Sequence, residues 1–176
     1  MFHIFKDKDR LSIDEALLVW SAALESGYVC SALWVDWAYA EILRLASPPF
    51  WLLELSSTHT GDEALTVIQQ HGCSQLPQDI WNRINYTGLY LGFLYLRFER
   101  GELKMEELLY LSGQTADRAR CELDCEAFYL LLNEIDGGGP IVPSDRPLLE
   151  RVAELYAPMV ERVRNCLSML PAIALA

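Results

Sequence analysis

Histidine and cysteine are the side chains best suited to nucleophilic or metal chemistry, and this chain has three of one and five of the other. Of His3, His59 and His71, only His59 sits in an exposed-loop context, Ser56-Ser-Thr-His-Thr60, where hydroxyls flank an imidazole. A nucleophilic triad needs a serine, a base and an orienting acid held in one geometry. Neighbouring residues in a helix connection do not supply that, so the loop reads as a set of helix caps. Cys121 and Cys125 stand four apart on one helix face, a spacing that suits two metal ligands, but a structural zinc site wants four. Nothing nearby completes the set, and Cys30, Cys73 and Cys166 are scattered. The pair reads as free thiols packed on a helix that also carries Phe128 and Leu131.

Carboxylates are the next candidates. Asp14-Glu15, Glu106-Glu107 and the run Glu122, Asp124, Glu126 place acids side by side. Glu122 and Glu126 repel at four-residue spacing, whereas Arg118 can pair with Glu122. An acidic helical protein produces such pairs on its solvated faces. No E-x-x-H of the di-iron bundles occurs, nor GxxxxGK[ST], GxGxxG or HExxH. No catalytic, cofactor-binding or metal-ligating set is assigned, and no cofactor is expected.

The elements that hold these residues are helices, read from their caps and their spacing. Ser12-Ile-Asp-Glu15 and Thr60-Gly-Asp-Glu63 both have the capping-box form. The first opens a helix over 13–26, carrying Leu17, Leu18, Trp20, Ala23 and Leu24, which Gly27 stops. A second run, 31–46, holds Trp34, Trp37, Tyr39, Ile42 and Leu45 and is apolar around most of its circumference, as a buried helix would be. Ser47-Pro48-Pro49 ends it, and residues 50–55 form a short helix of their own. The helix after Thr60 runs towards Gly72.

Pro77 precedes a long segment, 78–100, whose stripe of Ile80, Trp81, Ile84, Leu91, Leu94, Tyr95 and Phe98 marks a central core helix. In it Gly88 and Gly92 let another helix approach closely. A helix over 102–111 halts near Gly113. Thr115 caps another, reaching to about 135. Gly137-Gly138-Gly139-Pro140 is a flexible connection, and Ser144 begins a last helix that Pro158 kinks. Beyond a strand at Phe2–Phe5, no alternating run is found. The expected fold is all-α, an irregular bundle of about seven or eight helices forming a single domain over 1–176.

The bulk composition supports that fold. Hydrophobic residues make up 52% of the chain, charged residues 22%, and five Trp, eight Tyr and six Phe supply a large buried area. A formal net charge of −11 argues against nucleic acid and against an anionic membrane surface, since both need cations. The apolar stretch from Gly88 to Leu96 is far short of the roughly 20 residues that span a bilayer. The first ten residues mix both charges and lack the form of a signal peptide, so the expected setting is cytoplasmic, with reduced thiols.

One resemblance can be drawn. The order Glu15-Ala16…Trp20, Trp37-Ala38…Ile42, then Pro48-Pro49-Phe-Trp51-Leu-Leu-Glu54-Leu55-Ser56 resembles small helical bacterial immunity proteins of polymorphic-toxin systems. The likeness covers the first third of the chain. It implies an inhibitor that neutralises a cognate protein toxin by binding it. The −11 charge and the missing catalytic motifs suggest that, if that toxin is a basic nuclease, acidic side chains occupy its phosphate-binding cleft. The resemblance carries over no functional residue; Trp20, Trp37 and Trp51 would pack the core. The acidic sides of the last three helices are the expected partner surface, with Glu102, Glu106, Asp117, Asp124 and Glu150 as its residues. A helical adaptor, a homodimer or other homo-oligomer, and an enzyme with a motif-free site are the alternatives.

Overall fold

A computed structural model describes residues 10–29, 33–119, 124–138 and 146–170. Among them the chain is all-α, and no strand is present. The expected strand at Phe2–Phe5, the residues His3, Cys30, Cys121 and Glu122, and the helix start at Ser144 lie outside the described residues. The helices are α1 (Ile13–Glu25), α2 (Leu33–Arg44), α3 (Phe50–Ser56), α4 (Gly61–Val67), α5 (Gln78–Ile84), α6 (Tyr86–Glu99), α7 (Met105–Arg118), α8 (Glu126–Gly138) and α9 (Arg146–Met169). A π turn (Ile68–Gly72) and a 3-10 turn (Cys73–Gln75) follow α4. Packing divides the chain into two compact units, residues 1–86 with 164–176, and residues 87–163. Each is an irregular bundle of helices.

In the first unit, local chemistry sets the ends of α1. Ser12 Oγ accepts from the Glu15 N–H while the Glu15 carboxylate accepts from the Ser12 N–H at 2.9 Å, closing the capping box read from sequence. At the other end Gly27 takes φ +72, and the Tyr28 N–H reaches back to the Ala23 carbonyl, a Schellman closure. Every residue from Ala16 to Leu24 is buried, so α1 is surrounded. It packs on α4, the π turn and α5.

The helix expected to be buried, α2, is not. Its inward stripe is Trp34, Trp37, Ala38 and Glu41, at helical spacing, while Tyr39 and Leu43 face solvent at 54% and 87% exposure. Apolar side chains around most of a helix imply burial only when neighbours cover every face. Here a carboxylate takes an inner position and two large apolar residues take outer ones.

The expected segment 78–100 is two helices. Asn85 adopts φ 53, ψ 69, ends α5 by donating to the Trp81 carbonyl, and turns the chain into α6. Asparagine tolerates this left-handed conformation better than most residues, and one such residue is enough to break a helix.

In the second unit, α6 packs with α9 through Gly92. A Cβ there would lie 2.6 Å from the Met159 carbonyl oxygen and 2.7 Å from Val163 Cγ2. Tyr156 is the hub of this core: its ring stacks on Tyr95 at 4.9 Å and tilts against Phe128 at 5.6 Å. Its hydroxyl donates to the buried Ser112 Oγ at 2.5 Å, which satisfies both groups.

The expected stop at Gly113 and cap at Thr115 are overturned. α7 runs through both, and Thr115 Oγ1 donates to the Leu111 carbonyl one turn back. Gly113 is there because the Tyr129 ring lies on it, a Cβ meeting that ring at 2.7 Å. α8 starts later, at Glu126, whose N–H is taken by Asp124 Oδ1. α9 continues through Pro158, where the ring removes one backbone donor without ending the helix.

Replacing Gly92 with alanine forces backbone apart rather than a side-chain tip, and should cost about 1–3 kcal/mol in urea denaturation. A Cβ added at Gly137 in α8 would meet nothing within 4 Å. Gly137→Ala should therefore stabilise by about 0.5–1 kcal/mol, the ordinary helix preference for alanine. Equal effects at the two positions would refute this account of α6–α9 packing.

Candidate protein-binding surface

Among the described residues, four of the six exposed large apolar side chains lie on α2 and α3. Tyr39 and Leu43 lie one turn apart on α2, Phe50 and Leu53 nearly one turn apart on α3, and the two helices pack on each other. Leu43 is 87% and Phe50 71% exposed, and among the described residues only Tyr110 and Leu130 are other large apolar side chains so presented. Single exposed apolar residues need no explanation, but four on adjacent helices mark a face suited to contact.

Two devices beneath hold that face in place. The first is aromatic: Trp37 on α2 lies 6.0 Å from Trp20 of α1 and 6.5 Å from Trp51 of α3, the latter nearly parallel. Trp34 Nε1 adds a 2.8 Å hydrogen bond to Thr58 Oγ1, tying α2 to the end of α3. The second is ionic. Glu41 is 2% exposed and accepts from both Arg10 and Arg44, the Arg44 Nε standing 2.8 Å away. A buried carboxylate is tolerated only when paired, and two half-exposed guanidinium groups do this here.

The residues expected to bind a partner all lie in the second unit. Glu102 is engaged by Arg97 at 3.2 Å and Arg100 at 2.7 Å, so its charge is balanced within the α6–α7 connection. Glu106 is exposed in the first turn of α7, where an acid suits the helix dipole. Asp117 lies near the other end, roughly 16 Å along the axis at the usual helical rise. It accepts from the Tyr129 hydroxyl at 3.1 Å. Asp117 and Asp124 do come together, around Cys125, whose thiol is pushed up by its hydrogen bond to Asp117, then by burial and by the charge of both acids. Glu150 is exposed on α9.

The His59 loop behaves as a set of caps. Ser57 and Thr58 donate their hydroxyls to the Glu54 and Leu55 carbonyls of α3. Glu63 takes the His59 and Thr60 backbone N–H groups, which hold its carboxyl below the usual range. The hydroxyls beside His59 are thus committed to helix ends. Among the described residues no three His, Cys, Asp or Glu side chains gather to hold a metal, and no helix is long and apolar enough to cross a membrane.

A polar network that sequence reasoning missed lies in the first unit. The Tyr86 hydroxyl donates to Glu25, which leaves Ser21 Oγ, at 3.1 Å, to donate to Tyr86. Burial, then the Glu25 carboxylate, raises the Tyr86 hydroxyl well above its ordinary range. Burial likewise pushes the neighbouring Cys73 thiol from 9.0 to about 11. Both groups keep their protons at neutral pH, so neither is an activated nucleophile there. Partners more than sixty positions apart leave no local signal of this network.

No protein-family model matches the chain, and no curated protein or solved structure is significantly similar to it.

Both the Glu41 cluster and Cys73 are open to measurement. Arg10→Met with Arg44→Met strands the Glu41 carboxylate and should destabilise by about 3–5 kcal/mol, much of which a further Glu41→Leu should recover; a triple variant no more stable than the double contradicts a buried charge. For Cys73, folding holds the proton that the unfolded thiol has already lost. Its stabilising contribution is therefore complete below pH 9.0 and disappears as pH rises through about 11. Iodoacetamide at pH 8 should label Cys73 in the folded protein about 100-fold more slowly than in urea, as a shift of this size implies.

Proposed function

We propose that this chain is a protein-binding inhibitor of the immunity type, which neutralises a cognate toxin by occupying it. The observation that carries this reading is the exposed face of Tyr39, Leu43, Phe50 and Leu53, in a chain of formal net charge −11. Apolar and aromatic groups supply binding energy at the centre of an interface, while long-range charge governs encounter and choice of partner. The complement of this chain is a basic protein. A second copy brings another −11, and the two fields repel, so charge disfavours self-association.

Rigid support fits the same role. An inhibitor gains affinity when its contact residues need no ordering on binding. The tryptophans and the Glu41 ion cluster fix α2 and α3 before any partner arrives. The acids around Cys125 and at the start of α7 contribute to long-range steering in this reading, where charges alter association rate more than residence time.

The test is co-expression with each polypeptide encoded by the genes adjoining this one, scored first for its own toxicity. Wild type should restore growth and co-purify with the toxic one. Leu43→Asp and Phe50→Asp should abolish both while changing stability by no more than about 0.5 kcal/mol, as substitutions at exposed positions do. Full rescue by both variants would remove the α2–α3 face from the interface. A concentration-dependent dimer of the wild type that Leu43→Asp dissolves, without rescue of any neighbouring toxin, would replace inhibition by self-association.

A further inference from the structure

The Tyr86 network borders a cavity of ≈ 360 Å3 in the first unit, lined by Glu25, Gln69, Ser74, Trp81 and Tyr86 together with Ser21 and Cys73. That volume lies at the small end of the range for ligand pockets. Its chemistry has one sign. Glu25 ends α1, where the helix dipole is already negative, and no basic residue stands in that last turn. One carboxylate oxygen accepts from Tyr86, and no cation pairs with Glu25 among the described residues. Arg83, from the adjoining helix, is turned to Glu15 at 3.4 Å and Asp79 at 3.9 Å. Ser74 donates its hydroxyl proton to the Gln70 carbonyl and is left as an acceptor. The Trp81 and Tyr86 rings meet edge to face at 5.2 Å.

A carboxylate, further acceptors and an indole around one small space are what a planar cation needs. Guanidinium forms paired hydrogen bonds with a carboxylate and stacks on aromatic faces, whereas ammonium does neither as well. We propose that this cavity binds an alkylguanidinium group. In the inhibitor reading its source is an arginine side chain of the basic partner. The inference rests on that reading only for the source, since the cavity can be examined without any partner.

Butylguanidinium is the probe, with butylurea as its uncharged counterpart, at low salt. The readout is the Trp81 indole N–H resonance, assigned by its loss in Trp81→Phe. A saturable shift with butylguanidinium, with a dissociation constant on the order of 1 mM, is expected, and none with butylurea. Glu25→Gln keeps an acceptor for Tyr86 and should retain the thermal midpoint, yet weaken binding about tenfold or more. Gln69→Ala, an exposed position, provides a second variant that should weaken it less. Equal shifts with both probes, or unchanged affinity in Glu25→Gln, would overturn the assignment. A chain that binds butylguanidinium but rescues no toxin loses the inhibitor reading and keeps the cavity; the reverse result loses the cavity alone.

Discussion

The first unit depends on burial of indole rings. Trp20, Trp37 and Trp51 come from three successive helices and meet within 6.5 Å of one another along the chain of contacts. Each ring removes a large apolar area from water, and the pairs add their own attraction. Trp20 and Trp37 hold their Nε1–H groups in the interior with no acceptor among the described residues. An unmatched donor costs about 1–3 kcal/mol, so area burial must exceed that cost for both rings to stay inside. The excess is what lets α2 and α3 leave Leu43 and Phe50 in water and still remain in position.

Charge is handled by the same logic of neighbours. Glu41 enters the interior only because Arg10 and Arg44 accompany it. Glu102, Glu134 and Glu15 each meet an arginine at the surface, where such pairs contribute little to stability but localise the positive charge. With 14 basic residues against 25 acidic ones, much of the chain's limited positive charge is used internally. The net charge of −11 leaves the field around the chain negative.

Much of the fold was legible from short-range rules. Both capping boxes, the Gly27 stop and the Pro49 start depend on a few adjacent residues, and each occurs where its pattern stands. The departures have a common physical origin. Gly113 looks like a terminator until the Tyr129 ring is placed on it, and Asn85 looks like helix interior until its backbone is seen to be left-handed. The candidate surface was harder still. Apolar α2 residues suggest core, and only the packing of α1 and α3 on one side reveals the other as exposed. Glu41 had a partial clue in Arg44 three positions on, but Arg10 lies 31 positions away. Acidic spacing alone points to the later helices, whereas the apolar face lies in the earlier ones.

The proximity of the three tryptophans has an optical consequence. Indoles this close exchange excitation energy, so their emission belongs to the group and not to any single ring. Trp51 is the half-buried member, and Trp20 and Trp37 are interior. A change in solvent around α3 will thus alter the emission that follows absorption deep in α1, giving the protein an intrinsic reporter whose colour responds to the surface while its chromophores are mostly inside.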